Sequence, residues 1–378
     1  MTGLAQPLTT LPSVMRRTTA LTAFLLAAAA CSGTAAETTT MATTTTTSTT
    51  TTLATTTTTS TTTTMATTTT TDPSLIAIIA EEFRSPVNGL AADLETDLDH
   101  RAVAVKIDNH PDARPQSGLQ EADGTIEILV EGGFTRFIAV FHDGDSEYLG
   151  PVRSLRPTDS TIVPAIPAPL LISGGQPWVQ SLAVSRGVKL IGEGTIGLYR
   201  ISTRVGPHNL YANTALARQT ADVRGYADTA PTWIYRLGEW MIPETPATTV
   251  TLSWSDSTVV TWKYDNGRYT RWYGTTPHEY VTIDGERGQI SADVLVILAG
   301  HEYTAFPPED GTPVPETGTT GTGAAWVISR GGMWTGTWER TGITDQFRLL
   351  NADGTEAVVP AGIPWVSIFP DDRPITIS

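Results

Sequence analysis

The first half of the folded region carries the alternating hydrophobic pattern of β-strands. Residues 101–107 alternate around two valines and an isoleucine and end in Asp108-Asn109-His110-Pro111, a cluster typical of a turn. Two further strand-like runs, 125–131 and 134–141, flank Gly132-Gly133. Two glycines in that position favour a two-residue hairpin turn. The pattern predicts a strand that ends in a polar loop and, after it, a β-hairpin.

The predicted hairpin register decides which side chains meet. A turn at the two glycines pairs Glu131 with Phe134, which places Glu127, Glu131 and Arg136 on one face of the hairpin. The opposite face then holds the apolar residues Ile126, Ile128, Val130, Phe137 and Ala139. We expect that apolar face to be buried against another layer.

The two halves of the chain differ in pattern. Residues 84–235 mix strands with short helical segments at 179–186 and 215–221, whereas 248–370 is rich in strands and in Asn-Gly or Asp-Gly turns. Pro243 and Pro246 mark the junction. We predict the α/β class, with a mixed-sheet N-terminal domain (84–235) and a mainly antiparallel, strand-rich C-terminal domain (248–370).

One hairpin of the second half is aromatic. A two-residue turn at Asn266-Gly267 places Arg271 opposite Trp262. Their face of the hairpin also carries Val260, Tyr264, Tyr269 and Tyr273. Such a face either stacks sugar rings or packs on a second layer, and we favour packing.

The N-terminus has the pattern of an exported lipoprotein. Arg16 and Arg17 precede an uncharged stretch that ends in three alanines before Cys31. We expect a signal peptide over 1–30, lipidation of Cys31 and a threonine-rich, disordered tether over 31–74. The apolar run is shorter than the roughly 20 residues of a spanning helix. We therefore expect the protein to contact the membrane through its lipid alone and to lie outside the cytoplasm of a bacterium.

Charge and cysteine content exclude several function classes. The net charge of −15 and a pI near 4.8 disfavour nucleic acid as a partner. Cys31 is the only cysteine, which rules out an internal disulfide and a multi-cysteine metal site. No cofactor motif and no metal-ligand set is recognisable in the sequence.

Several motifs in a fixed order resemble the YerB-like family of bacterial lipoproteins, whose N-terminal and C-terminal domains have no known function. The resemblance covers about 85–370. The motifs are Lys106-Ile107-Asp108-Asn109-His110, Ala113-Arg114-Pro115-Gln116-Ser117-Gly118-Leu119, Glu121-Ala122-Asp123, Val130-Glu131-Gly132-Gly133, Gly150-Pro151-Val152-Arg153-Ser154 and His208-Asn209-Leu210-Tyr211. The resemblance implies an extracytoplasmic lipoprotein whose N-terminal domain is a layered α/β sandwich, and it implies no reaction.

The loop after the first predicted strand is the leading candidate site. Asp108, Asn109, His110 and Arg114 follow a strand end, where loops of α/β proteins often carry ligands. An acid, an imidazole and a guanidinium so close together can orient and polarise a substrate. The alternative is a turn in which Asp and Asn bond to local backbone groups.

The predicted hairpin supplies a second candidate. Residues four apart on a strand, such as Glu127 and Glu131, lie about 13 Å apart, which is too far for a catalytic carboxylate pair. Glu121 or Asp123 would have to complete such a pair. We favour a structural ion network around Arg136.

Two further groups of polar residues each allow a functional and a structural interpretation. Arg153 and Arg156 lie near predicted loops, where guanidiniums either bind an anionic ligand or pair with nearby acids. The acidic residues near His142 lack the spacing of a calcium loop and predict a turn. No serine, histidine and acid set suggests nucleophilic catalysis.

Three hypotheses follow. The first is a non-enzymatic protein that binds a cell-wall component or an envelope protein through the loops 108–114, 153–156 and 208–211, including Asn209. The second is a hydrolase or transferase of an envelope polymer, in which Asp108, His110 and one acid among Glu121, Asp123 and Glu131 converge. The third is a purely structural protein without a concave polar pocket.

Overall fold

The computed structural model describes residues 84–92, 98, 100–239, 245–307 and 311–378. Cys31, the signal peptide and the threonine tract lie outside these residues. Within them, every helix is too short to cross a bilayer. The helices are α1 (Asp159–Ile162), α2 (Pro177–Ser185) and α3 (Thr214–Val223), with 3-10 turns at Pro111–Ala113, Leu119–Glu121, Glu131–Gly133 and Val163–Ala165.

Strands dominate the described part of the chain. They are β1 (Val103–Asp108), β2 (Gly124–Leu129), β3 (Thr135–Phe141), β4 (Leu170–Leu171), β5 (Leu190–Ile191), β6 (Leu198–Arg200), β7 (Leu210–Ala212), β8 (Thr245–Pro246), β9 (Thr249–Ser253), β10 (Val259–Asp265), β11 (Arg268–Tyr273), β12 (Thr276–Pro277), β13 (Glu279–Val281), β14 (Arg287–Gln289), β15 (Ser291–Ala292), β16 (Val294–Gly300), β17 (Glu302–Ala305), β18 (Val314–Thr317), β19 (Gly321–Ser329), β20 (Gly332–Arg340), β21 (Arg348–Leu350), β22 (Glu356–Ala357), β23 (Pro364–Pro370) and β24 (Ile375–Ile377).

One large sheet runs through both halves of the chain. Its strand order is β22-β21-β20-β19-β16-β23-β2-β3-β1-β4-β5, and β8 pairs with β20. The halves are joined by parallel pairing of β2 with β23, in which Thr125 lies beside Trp365. A second sheet, β12-β11-β10-β9-β24 with β15 on β11, belongs entirely to the C-terminal half. The predicted combination of a mixed sheet with a mainly antiparallel, strand-rich second half is confirmed.

The large sheet is the middle layer of three. One face packs on α1 and α2, through residues such as Ile162 and Val179, and the other face packs on α3 and the second sheet. Because both faces are covered, all six residues of β1 and all seven of β3 are buried. The expected layered sandwich is therefore present.

Local sequence explains where several elements begin and turn. The Asn213 side chain accepts a hydrogen bond from the Leu216 N–H (2.9 Å) and caps α3, while Pro177 opens α2 at a position that needs no N–H donor. Asn266 and Gly267 both adopt positive φ, 49° and 88°, which is the type of turn that joins two strands in two residues. Both short helices and the β10–β11 turn agree with the predictions.

The β2–β3 hairpin differs from its predicted register by one residue. Ile128 lies opposite Arg136, and Leu129 lies opposite Thr135. The glycines do not form a two-residue turn, because the connection runs over 130–134 and closes with a hydrogen bond from the Val130 N–H to the Phe134 carbonyl (2.8 Å). A shift of one residue moves every following side chain to the other face, which changes the predicted site.

Candidate functional site

The candidate site lies where β1 and β2 end and β3 begins. β3 runs antiparallel between β1 and β2, so β1 and β2 point in the same direction. Their carboxyl ends therefore meet at one edge of the sheet, the place where open α/β sheets bind ligands. Asp108 closes β1 at this edge.

Three loops that are distant in sequence converge on Asp108. Its Oδ2 lies 2.8 Å from Nδ1 of His208 and 3.0 Å from Nε of Arg153, and its Oδ1 accepts a hydrogen bond from the His110 N–H (3.1 Å). The Asp108 side chain is 3% exposed, against 15% for His208 and 25% for Arg153. A buried carboxylate thus orients two more accessible groups. We call Asp108, His110, Asp112, Arg153 and His208 the Asp108 cluster.

Two exposed side chains form the outer part of the Asp108 cluster. His110 caps the 3-10 turn Pro111–Ala113, with Nδ1 accepting from the Asp112 N–H (3.3 Å). Its ring stacks on His208, with centroids 5.4 Å apart, and meets the edge of Phe134 at 4.8 Å. A cavity of about 400 Å³ adjoins Asp112 and His208 and is also lined by Arg204, Val205, Gly206 and Pro207.

The other face of the same sheet edge holds a polar network that is closed to solvent. Glu127 accepts hydrogen bonds from Arg271 (2.7 Å), Thr135 (2.6 Å) and Trp365 (2.9 Å). Arg271 and Glu127 are both 0% exposed. Arg271 also donates to Nδ1 of His278 (2.7 Å). We call Glu127, Arg271, His278, Gln116 and Asn109 the buried network.

The protonation state of His278 sets the direction of these hydrogen bonds. Burial, together with the nearby charges of Arg271 and Arg114, lowers the pKa of His278 well below its usual value, so the ring is neutral. Nδ1 then accepts from Arg271, which requires Nε2–H to donate to Oε1 of Gln116 (2.8 Å). Gln116 in turn donates to the Asp108 carbonyl (2.9 Å).

Asn109 and Arg114 belong to the inner side of the loop. Asn109 Oδ1 accepts from Tyr273 (2.8 Å) and from Arg114 Nε (3.1 Å). The Arg114 guanidinium lies 3.7 Å from the centre of the Tyr273 ring. The C-terminal half therefore fixes the loop that carries Asp108, so this part of the predicted site positions the loop.

Glu127 and Arg136 do not share a face, contrary to the predicted register. Glu127 lies beside Phe137 and points into the buried network, whereas Arg136 lies beside Asp108 on the opposite face and donates to the Ser154 carbonyl (2.7 Å). Burial lowers the pKa of Arg136 to about 10. Glu127 is therefore not part of the ion network expected around Arg136, because the hairpin turn is longer than two residues, whereas the charges of Asp108 and Glu131 do act on Arg136.

Arg156 pairs with Glu131, in agreement with the predicted alternative that the arginines pair with nearby acids. The Arg156 Nε donates to Oε2 of Glu131 at 2.6 Å. Burial raises the pKa of Glu131, but the hydrogen bond and charge of Arg156 outweigh it and lower the pKa overall. Arg153 likewise contacts Asp108, so both guanidiniums have a carboxylate partner.

The three acids proposed for catalysis are engaged with other groups. Asp123 Oδ2 accepts the backbone N–H groups of His142 (2.6 Å), Asp143 (3.0 Å) and Gly144 (3.2 Å), which confirms a turn at that segment. Glu121 is exposed and accepts from Gln120. Glu131 is held by Arg156, so among the described residues none of the three acids makes a hydrogen bond to Asp108 or His110.

Asn209 has a local role, and its neighbour in the predicted binding loop 208–211 makes the contact to the site. The Asn209 side chain accepts from Arg200 (2.6 Å) and donates to the Ile201 carbonyl (3.4 Å), so it closes its own loop. His208 is the residue that reaches Asp108. The only sequence hint was the position of His208 in a family-like motif.

A buried ion pair beneath the site was also not predicted. Lys106 and Asp159 are 0% exposed and lie 2.5 Å apart, and Asp159 also accepts the Arg156 N–H (2.6 Å). Burial lowers the pKa of Lys106 to about 8, although Asp159 acts in the opposite direction. The pair fastens the 153–159 segment to β1, and the isolated Lys106 within a hydrophobic strand is the feature that indicates a buried partner.

Comparison with known proteins now identifies the family. Residues 87–227 match the model "Protein of unknown function (DUF3048) N-terminal domain", and residues 249–366 match the model of the DUF3048 C-terminal domain. The chain belongs to the DUF3048 family. The resemblance to YerB-like proteins is thereby confirmed.

One relative and one solved structure are similar to this chain over most of its length. "Putative lipoprotein YerB" of Bacillus subtilis (strain 168) is 26% identical over 310 residues, which cover 79% of this chain and 90% of that protein. The crystal structure of YerB from Bacillus subtilis matches with a TM-score of 0.64 and 23% identity, over 78% of this chain and 99% of that one. The likeness supports the fold described above.

Proposed function

We propose that the protein is a lipid-anchored, extracytoplasmic protein that binds an anionic cell-wall component at the Asp108 cluster. The anchor is supported by the residues before Cys31 and by the name of the Bacillus subtilis relative. The binding role rests on one observation, the convergence of three loops on the Asp108 carboxylate. A buried acid that holds two accessible polar groups in place is a pre-organised arrangement for recognition.

Local charge favours an anionic ligand. The chain as a whole carries −15, but five guanidiniums and three carboxylates surround the end of β1, which leaves a local balance of +2. These are Arg114, Arg136, Arg153, Arg156 and Arg204 against Asp108, Asp112 and Glu131. Guanidinium forks match phosphate and carboxylate groups. An acidic wall polymer fits this balance, and an acidic surface of an envelope protein is the other ligand with the same chemistry.

Co-sedimentation with isolated cell walls tests the proposal. The full chain in detergent is mixed with walls of the encoding bacterium, either intact or stripped of phosphate polymers by mild acid. We expect binding to intact walls and a loss of affinity of about 10-fold or more in Arg153→Gln, because a hydrogen bond to a charged group contributes roughly 1.5–3 kcal/mol. Arg348→Gln is the matched control, since Arg348 also pairs with a carboxylate, Glu339, but lies in the C-terminal half.

The outcomes separate the candidate ligands. Binding that survives acid stripping but requires Arg153 indicates a different anionic wall group. Absence of wall binding, combined with cross-linking of an envelope protein in cells that Arg153→Gln abolishes, transfers the role to a protein partner. Absence of both contradicts a binding function at this site.

A hydrolase or transferase is the second candidate, because one observation favours it. Nδ1 of His208 lies 2.8 Å from Oδ2 of Asp108, which is the arrangement that orients an imidazole as a general base. Among the described residues, His208 makes no side-chain hydrogen bond to a hydroxyl group. Release of soluble fragments from intact walls by the wild-type chain, and not by His208→Ala, would support this candidate.

A further inference from the structure

We propose that His110, Asp112 and His208 bind a divalent transition metal ion, with zinc as the best match. Each residue offers one ligand atom, and the three atoms lie within 4.8 Å of one another. Two imidazole nitrogens and one carboxylate oxygen are a donor set that zinc accepts when it keeps a further position open. The inference concerns the metal alone and does not depend on wall binding.

His208 is prepared as a metal ligand by its contact with Asp108. The hydrogen bond to Oδ2 of Asp108 (2.8 Å) fixes the proton on Nδ1, which leaves the lone pair of Nε2 free to coordinate. Metal-binding histidines almost always donate their second N–H to a carboxylate or carbonyl in this way. Asp108 itself is held by the backbone of His110 and by Arg153, so the ring has a fixed orientation.

The other two ligands have the freedom to close around an ion. Nδ1 of His110 lies 3.5 Å from Oδ2 of Asp112, close to the separation of about 3.4 Å that two ligands have at a tetrahedral ion with bonds of about 2.1 Å. Coordination through this nitrogen replaces the hydrogen bond that it accepts from the Asp112 N–H. Asp112 is 75% exposed and His110 is 38% exposed. Rotation of these surface side chains is therefore enough to bring both toward the fixed His208.

The surroundings leave room for the open coordination position. The cavity of about 400 Å³ borders on two of the three ligands, Asp112 and His208. Arg204, which also lines it, donates to the carbonyl of Ala113 (2.9 Å) and to that of Pro115, and so secures the turn that carries Asp112. Water or an anionic group in this cavity completes the coordination.

Arg153 is expected to lower the affinity of the site for a dication. Its guanidinium contacts Asp108 and offsets part of the negative charge behind His208, which weakens the attraction of the site for a dication. Arg153→Gln is therefore expected to tighten zinc binding several-fold. The same substitution weakens binding of an anionic wall component, so the two proposals predict opposite signs for one variant.

Calorimetric titration with zinc chloride tests the site. The full chain is purified in detergent without a polyhistidine tag and titrated in a non-chelating buffer. We expect one zinc ion per chain, a loss of affinity of at least about 100-fold in His208→Ala, and a loss of about 10- to 100-fold in Asp108→Asn, the range typical of residues that orient a metal ligand. The absorption spectrum of the cobalt-loaded chain should show four- or five-coordinate geometry.

Two further variants serve as a control and as a substitute for His208→Ala. His301→Ala is the control, because His301 is 80% exposed and also faces a carboxylate, Asp371, at 3.6 Å; its zinc affinity should equal that of the wild type. Should His208→Ala fail to fold, Asp112→Asn replaces it, since Asp112 lies on the surface. Absence of zinc binding, or equal affinities for the wild type and Asp112→Asn, overturns the metal site, whatever the result of the wall assay.

Discussion

The Asp108 cluster and the buried network lie on opposite faces of the same sheet edge, and they differ in how far their charged side chains are exposed to solvent. In the buried network, Glu127 and Arg271 are wholly enclosed, and each has several hydrogen-bond partners. In the Asp108 cluster the Asp108 carboxylate is enclosed, while His110, Asp112 and Arg153 reach solvent. Charged groups that are buried and paired with each other are typical of a structural role, and accessible polar groups on a rigid base are typical of binding.

The two regions are also connected. Gln116 and Asn109 belong to the buried network, and they hold the backbone and side chains of the loop that follows Asp108. A residue of the C-terminal half, Tyr273, contacts that loop directly. The second half of the chain therefore acts on the site by fixing its geometry.

The largest expected effect is on stability, from breaking the buried network. Arg271→Met leaves the Glu127 carboxylate buried without its cation, which costs about 3–5 kcal/mol for pairs of this kind. Urea denaturation of the full chain should show this loss of unfolding free energy. The double variant Glu127→Gln with Arg271→Met should recover part of it, and a loss below about 1 kcal/mol in the single variant would remove the structural role.

The next effect is on the pH dependence of stability, through His278. Its folded pKa lies below the unfolded value of about 6.5, so below that pH the unfolded chain binds a proton that the folded chain does not. Stability should therefore fall as the pH decreases from about 6.5, by up to ~1.4 kcal/mol per pH unit for this group. His278→Gln should have a shallower slope between pH 6.5 and 5, and identical slopes would contradict a neutral, buried ring.

A smaller loss of stability is expected in the Asp108 cluster. His208→Ala removes one partly accessible hydrogen bond, and Asp108 keeps Arg153 and the His110 N–H, so we expect about 1 kcal/mol. The measurement is the same urea titration. A loss as large as that of Arg271→Met would mean that both regions serve structure alone.

The smallest effect is expected at an exposed pair. Arg348 and Glu339 are both largely solvent-accessible, and such pairs contribute roughly 0–1 kcal/mol. Arg348→Gln should therefore leave stability within about 0.5 kcal/mol of the wild type and should lose what effect it has in high salt. A larger change would disqualify it as the control for Arg153→Gln.

Sequence patterns predicted the elements better than their connections. The β10–β11 hairpin was correct to the residue because Asn266-Gly267 specifies its turn. At Gly132-Gly133 the same argument failed, since positive φ at both glycines is also compatible with a longer 130–134 connection. The pairing of β2 with β23 carries no local signature, because Trp365 and Glu127 are 238 positions apart.

The candidate site was predicted in part for the same reason. Asp108 was recognised because its loop follows a predicted strand, and Arg153 because a guanidinium near a predicted loop can bind an anion; the structure brings the two together. His208 and Asp112 lie within the predicted binding loops 208–211 and 108–114, but neither was singled out as a site residue, since sequence alone does not show that they approach each other. Glu121 and Asp123 were included as acids that could complete a carboxylate pair, and Asn209 as part of a family-like motif, but each serves its own turn or loop.

The most direct test of the division between a closed structural network and an open binding cluster is the wall affinity of Arg153→Gln, measured beside its unfolding free energy. We expect affinity to fall about 10-fold or more while stability falls by less than about 1 kcal/mol. Wild-type affinity in this variant, with intact walls and a folded chain, would contradict the assignment of the Asp108 cluster as the binding site.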